Sequence, residues 1–173
     1  MTRPESLSEF FDCALNEVQR VVREMSTDAK GRHEHAADRV DLKPHVIPTD
    51  DLAVHLPAEA IHPAIERLLE TCDLYHLTTI TAIDEGEQIQ LRYHFWQGHG
   101  LTLETALPVD NVGTHHRLTI PTITDIIPGA AFYEREIYGM FDVNFDGHRG
   151  LRPLLLPDDW QGGPPLRKEA GDG

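Results

Sequence analysis

The stretch Gln88-Ile89-Gln90-Leu91-Arg92-Tyr93-His94-Phe95-Trp96 alternates polar and apolar side chains, with Ile89, Leu91, Tyr93 and Phe95 on one face. Successive side chains of a strand point to opposite faces of a sheet, so the pattern predicts a strand over 87–97 with one buried face. Asp84-Glu85-Gly86 precedes it and Gly98-His99-Gly100 follows it, both turn sequences. Such short connections reverse the chain, so strands are expected at 74–83 and 101–107, forming an antiparallel meander. Upstream, Ile61, Ile65, Leu68 and Leu69 fall at helical spacing, and Pro63 is expected in that helix's first turn, where a missing N–H does no harm. A short strand is expected around Leu52, Val54 and Leu56. Downstream, 118–127 reads as a strand end and a short helix, and Ala130 to Phe141 as a helix with Tyr133, Ile137 and Phe141 at i, i+4, i+8. The fold class is α+β: a mostly antiparallel sheet with flanking helices and an extended, proline-rich C-terminal tail.

Farther out, Leu7, Phe10, Phe11, Ala14, Leu15, Val18 and Met25 give residues 6–25 a continuous apolar helical face, with Ser6 and Glu9 in a capping-box pattern. Residues 26–45 show no apolar period and read as a mobile linker, beyond which the first helix would pack separately. The division expected is a helix at 1–25, a linker at 26–45, an α+β domain at 46–156 and a partner-binding tail at 157–173. The tail follows because Pro153, Pro157, Pro164 and Pro165 prevent a helix, while Leu151, Leu154, Leu155, Leu156 and Trp160 favour burial.

Lys and Arg number 15 against 29 Asp and Glu, and the formal charge of −14 argues against nucleic acid or anionic lipid as partner. No stretch has the length and composition of a transmembrane helix, and the amino terminus lacks a signal-peptide h-region, so a cytoplasmic location is expected. The glycine-rich phosphate turns of dinucleotide and P-loop folds are missing. Cys13 and Cys72 are too few for an iron–sulfur cluster and read as small buried thiols. His33 with His35, His94 with His99, and His115 with His116 lack companion ligands at metal spacing, so exposed histidine is the better account.

Glu134-Arg135-Glu136 stands apart. Consecutive helical residues point about 100° away from one another, so these three charges cannot share one solvated face. At least one should approach a packed surface, and a buried ion pair of Arg135 or Glu136 with Arg152, Asp142 or another chain would satisfy it. Arg167 and Lys168 could reach acidic groups on a partner or remain solvated.

Tyr133-Glu134-Arg135-Glu136-Ile137-Tyr138-Gly139-Met140-Phe141, Phe145-Asp146-Gly147-His148, Leu151-Arg152, and Asp158-Asp159-Trp160-Gln161-Gly162 with Pro165-Leu166-Arg167-Lys168 resemble the signature of the complex I 30-kDa subunit family, the C subunit of NADH-quinone oxidoreductase, with its relatives in energy-converting [NiFe] hydrogenases. This chain departs at Gly139, where an acidic residue is usual, at Asp142, where Gly is usual, and at Arg149 and Pro153. The resemblance implies a non-catalytic peripheral subunit on the cytoplasmic side of the cell membrane. It would hold no cofactor and would brace a large 49-kDa-like or hydrogenase large subunit beside an iron–sulfur small subunit. Those partners would carry the iron–sulfur clusters and the quinone site or nickel–iron centre. The structural or interface positions so implied are Tyr133, Glu134, Arg135, Glu136, Tyr138 and Phe141 on the helix, His148 and Arg152 after it, and Asp159, Trp160, Leu166, Arg167 and Lys168 in the tail. Chain length leans slightly to the hydrogenase type. An independent small enzyme and a freestanding assembly module are the alternatives, and sedimentation with membranes would separate them from a subunit.

Overall fold

A computed structural model of the chain describes residues 7–28, 45–47, 51–109 and 118–168. Its elements run α1 (Leu7–Asp28), β1 (His45–Ile47), β2 (Asp51–His55), α2 (Ala58–Cys72), β3 (Leu77–Asp84), β4 (Gln88–Trp96), β5 (Gly100–Pro108), β6 (Leu118–Pro121), α3 (Ala130–Phe141) and β7 (Val143–Asp146). The central meander forms as its alternation dictates, with Ile89, Leu91, Tyr93 and Phe95 buried along β4. Gly86 and Gly98 turn its corners with φ of 92° and 81°, a region side-chain-bearing residues rarely enter.

The five-stranded sheet has the order β1-β2-β5-β4-β3. All neighbours are antiparallel except β2 and β5, which pair in parallel with Leu52 opposite Leu101 and Val54 opposite Leu103. Parity explains the exception. Helix α2 carries the chain back after β2, so β3 runs with β2, β4 against it and β5 with it again. Alternation in a sequence reports which face is buried and says nothing of strand direction. The same logic makes β6 and β7 a parallel pair, joined through α3. Residues 118–127, expected to end in a short helix, are strand β6 followed by turns.

Helix α2 buries Ala60, Ile61, Ala64, Ile65, Leu68 and Cys72 against the sheet. It starts at Ala58, so Pro63 lies inside the helix instead of in its first turn. The ring removes one backbone hydrogen bond there. Burial of the apolar stripe on both sides of the proline compensates for it.

Helix α1 packs on α2 and sinks Phe10, Ala14, Val18 and Val21 into the common core. Burial of each larger side chain among these contributes about 1.5–3 kcal/mol as an upper bound. Cys13 of α1 and Cys72 of α2 form a disulfide, with Cα atoms 6.3 Å apart. The two cysteines are therefore a linked pair and not the isolated buried thiols expected from composition. Their spacing of 59 residues hid the pairing, because contact between α1 and α2 is a tertiary fact. Of the expected linker, residues 26–28 belong to α1 and His45 opens β1. Residues 29–44 lie outside the described residues, as does Ser6 of the expected capping box.

Candidate interaction surface

The segment from β6 to Lys168 gathers the residues singled out from sequence, with α3 as its frame. Among Glu134, Arg135 and Glu136, the buried one is Glu134, with no exposed surface. Its carboxylate accepts the Ile123 N–H at 2.8 Å and the Thr122 hydroxyl at 2.5 Å. Arg135 donates to the carbonyls of Arg152 and Pro153, while Glu136 is exposed. The buried ion pair expected of Arg135 or Glu136 is therefore replaced by a buried carboxylate satisfied through a hydroxyl and a backbone amide. A reading of charge spacing finds that one member must be buried but cannot say which, nor that neutral donors would receive it.

Burial pushes the Glu134 carboxyl up to about 7, against the pull of the Ile123 N–H and the Thr122 hydroxyl. Asp125 adds to the rise and His62 opposes it. These last two pair with each other at 2.9 Å between α2 and the turn after β6. The His62 hydrogen bond holds Asp125 below the usual carboxylate range. Near Glu134, Tyr93 is wholly buried, and its hydroxyl meets no hydrogen-bond partner among the described residues. Burial, with Glu134 nearby, raises the Tyr93 phenol and keeps it protonated.

Tyr133 donates its hydroxyl to the carbonyl of Thr78, fastening α3 to β3, and Phe141 lies in the core. Asp142 ends α3 in the left-handed region at φ 57°, the position where glycine is favoured and Asp is tolerated. Gly139 is buried, and a Cβ there would come within 3.3 Å of Pro153. Its lack of a side chain lets the tail lie close on the helix. Together with Tyr138, Leu156, Trp160, Gly162 and Pro164 these residues line a cleft of about 150 Å³ between helix and tail. His148 accepts the Gly150 N–H on Nδ1, which closes the turn after β7.

From Leu151 to Lys168 the backbone is neither helix nor strand, as the prolines require. Its far end returns to the domain. The Leu166 N–H donates to the Met140 carbonyl at 3.0 Å. Arg167 donates to Asp84 at 3.0 Å and to the Phe141 carbonyl at 3.3 Å. Asp84 also accepts the N–H groups of Lys168 and Gly86. Burial alone would raise the Asp84 carboxyl, and these donors with the Arg167 charge outweigh it and hold it below the usual range. Arg167 is thus committed to its own chain. Sequence places Asp84 only in a turn, since nothing local ties it to a residue 83 positions away.

Several large apolar side chains are left exposed. Leu155, Leu166 and Trp160 are 60%, 55% and 46% exposed, and Phe132 of α3 is 61% exposed. Trp160 spends its indole N–H on the Gly163 carbonyl. Arg152, Asp159 and Lys168 are also exposed. Among the described residues no group of three His, Cys, Asp or Glu is placed to hold a metal ion. His94 bonds Thr81 and Thr102, and the His99 ring lies tilted against Phe10 and edge-on to Phe11. His33, His35, His115 and His116 lie outside the described residues.

Residues 54–171 match the family described as respiratory-chain NADH dehydrogenase, 30 Kd subunit. The NADH-quinone oxidoreductase C/D subunit of Phocaeicola vulgatus is 32% identical over 117 residues, covering 67% of this chain and 22% of the relative. That of Acinetobacter baylyi is 60% identical over 52 residues, covering 30% and 9%. The NADH-quinone oxidoreductase C subunit of a Jannaschia species is 37% identical over 105 residues, covering 57% and 47%. The chain spans less than half the length of each of these relatives. In structure it is similar to a chain of the membrane-bound sulfane sulfur reductase, an archaeal respiratory membrane complex, with a TM-score of 0.63 at 24% identity over 86% of this chain and 82% of that one. It is also similar to a trypsin-resistant fragment of Nqo5, with a TM-score of 0.54 at 23% identity over 78% and 99%. The α+β fold and the family match agree, and the chain belongs to the 30-kDa subunit family of respiratory-chain NADH dehydrogenase.

Proposed function

We propose that this chain is a non-catalytic peripheral subunit of a membrane-attached electron-transfer complex of the NADH-quinone oxidoreductase type, and that it braces the complex's large subunit. The observation that carries this reading is the tail. Its backbone is pinned by Leu166, Arg167 and Asp84, while Leu155, Trp160 and Leu166 present apolar surface outward. Exposed apolar groups on a fixed backbone lose little conformational freedom on docking, which favours a protein interface. Relatives named as a C/D subunit carry two subunit designations in one chain, which supports the D-type large subunit as the neighbour. No helix among the described residues is long and apolar enough to cross a membrane. Attachment through partners, on the cytoplasmic side, completes the reading. The flavin, iron–sulfur and quinone chemistry would then belong to those partners.

A photoreactive residue at position 160 tests the proposal in membranes from cells carrying the complex. Cross-linking to the large subunit, with release of the chain by agents that strip peripheral proteins, is the expected result. A chain that stays in the supernatant and cross-links to nothing refutes it.

A further inference from the structure

The Glu134 carboxyl has no part in the docking role, yet it is the most completely buried acid among the described residues. Four groups surround it from three elements besides its own. Thr122 and Asp125 come from the segment after β6, His62 from α2, and Tyr93 from β4. Thr122 Oγ1 lies 2.5 Å from Glu134 Oε2 and 2.8 Å from Thr124 Oγ1, and it accepts the Thr124 N–H at 3.2 Å. A hydroxyl carries one hydrogen and two acceptor sites, so this arrangement can be completed in two ways. With Glu134 ionised, Thr122 donates to the carboxylate and accepts from the Thr124 hydroxyl. With Glu134 protonated, the carboxylic acid donates to Thr122, which turns its own hydrogen toward Thr124. Each state satisfies Thr122 fully, and the Ile123 N–H stays on Oε1 in both.

We propose that Glu134 is a proton-binding site built into the fold, whose carboxyl takes one proton from water or returns it while the surrounding heavy atoms stay in place and the Thr122 and Thr124 hydroxyls rotate. Thr124 is only half-buried, so the hydroxyl pair leads from the core to the boundary with solvent. The position of the equilibrium follows from the setting. Burial and Asp125 favour the neutral acid, while the Ile123 N–H, the Thr122 hydroxyl and His62 favour the anion, with a balance at about 7. An unfolded glutamate releases its proton near 4.5. The folded value is raised, so the stability it contributes is complete below that pH and is lost as pH rises through about 7. Tyr93 stays neutral throughout.

The test uses the full chain labelled with ¹³C at glutamate carboxyls, with Glu134→Gln to assign the signal. The amide variant donates to Thr122 and accepts from Ile123, so it imitates the protonated state and should fold. One carboxyl signal should titrate near neutral pH and vanish in Glu134→Gln, and the backbone amide shifts that the variant abolishes should be confined to this cluster. Thr122→Val should move the midpoint up by about one unit, because the anion loses its charge-assisted donor, and Thr122→Ser should leave it in place. In urea unfolding, the wild-type chain should weaken relative to Glu134→Gln as pH rises through neutrality. A midpoint in the ordinary carboxylate range, one that Thr122→Val does not move, or amide changes spread through α3 would each overturn the proposal.

Discussion

The two ends of the described fold come back to the domain by opposite means. Helix α1 inserts Phe10, Ala14, Val18 and Val21 into the core and is joined to α2 through Cys13 and Cys72. The tail is held by backbone amides and by the ion pair of Arg167 with Asp84, and leaves Leu155, Trp160 and Leu166 facing out. An end fixed by apolar burial has used its apolar surface on itself. An end fixed by polar hooks keeps that surface for something else, and this asymmetry favours docking at the tail.

The largest effect is expected at the α1 end. Cross-linking positions 59 residues apart removes loop entropy from the unfolded chain worth on the order of 4 kcal/mol in the chain-entropy model. Urea unfolding with and without reductant, checked against Cys13→Ser, should show a loss of that size with α1 still packed. If reduction leaves the unfolding midpoint unchanged, the disulfide is incidental, and apolar burial alone holds this end.

A smaller effect is expected where the tail is hooked. Arg167→Ala takes the guanidinium from Asp84, whose side chain is 4% exposed, and leaves it the Lys168 and Gly86 N–H groups; hydrogen bonds to charged groups contribute about 1.5–3 kcal/mol. Truncation before Asp158 removes Arg167 together with the Leu166 and Lys168 N–H groups and should lower stability by at least as much. The pH dependence has a fixed sign. The folded Asp84 value lies below its ordinary 3.8, so the contribution is present above that pH and lost as pH falls through the lower value. The wild type and Arg167→Ala should therefore converge in acid. A gap that persists at low pH would mean that the Arg167 stem, and not its charge, fastens the tail.

How far the sequence could be read follows from which interactions are local. The β4 alternation, its two turns and the α3 period are legible because each is written within about ten residues, and the structure reproduces them nearly to the residue. The parallel pairing of β2 with β5, the Cys13–Cys72 link and the Arg167–Asp84 pair are not, since each joins segments far apart in the chain. Glu134 is the intermediate case. Helical geometry requires a buried charge in its triplet, but only the turn after β6 shows that Thr122 and Ile123 receive it.

The smallest effect on the isolated chain, and the most informative for the comparison, is expected from Trp160→Ala. The indole donates to the Gly163 carbonyl at 3.1 Å and covers Gly162, yet it is 46% exposed. A half-exposed side chain on an irregular segment contributes within about 1 kcal/mol to folding. Full burial of the same ring at an interface removes more of its surface from water, and aromatic anchors of that kind cost about 2 kcal/mol or more when truncated. The variant should therefore melt within a few degrees of the wild type while its retention in the membrane complex falls by about tenfold or more, roughly the equivalent of 1.4 kcal/mol. Leu155→Ala, on the same exposed tail, should act in the same direction and more weakly. Loss of stability in the free chain equal to the loss of retention would show that Trp160 serves the tail's own fold. The two ends of the molecule would then differ in degree and not in purpose.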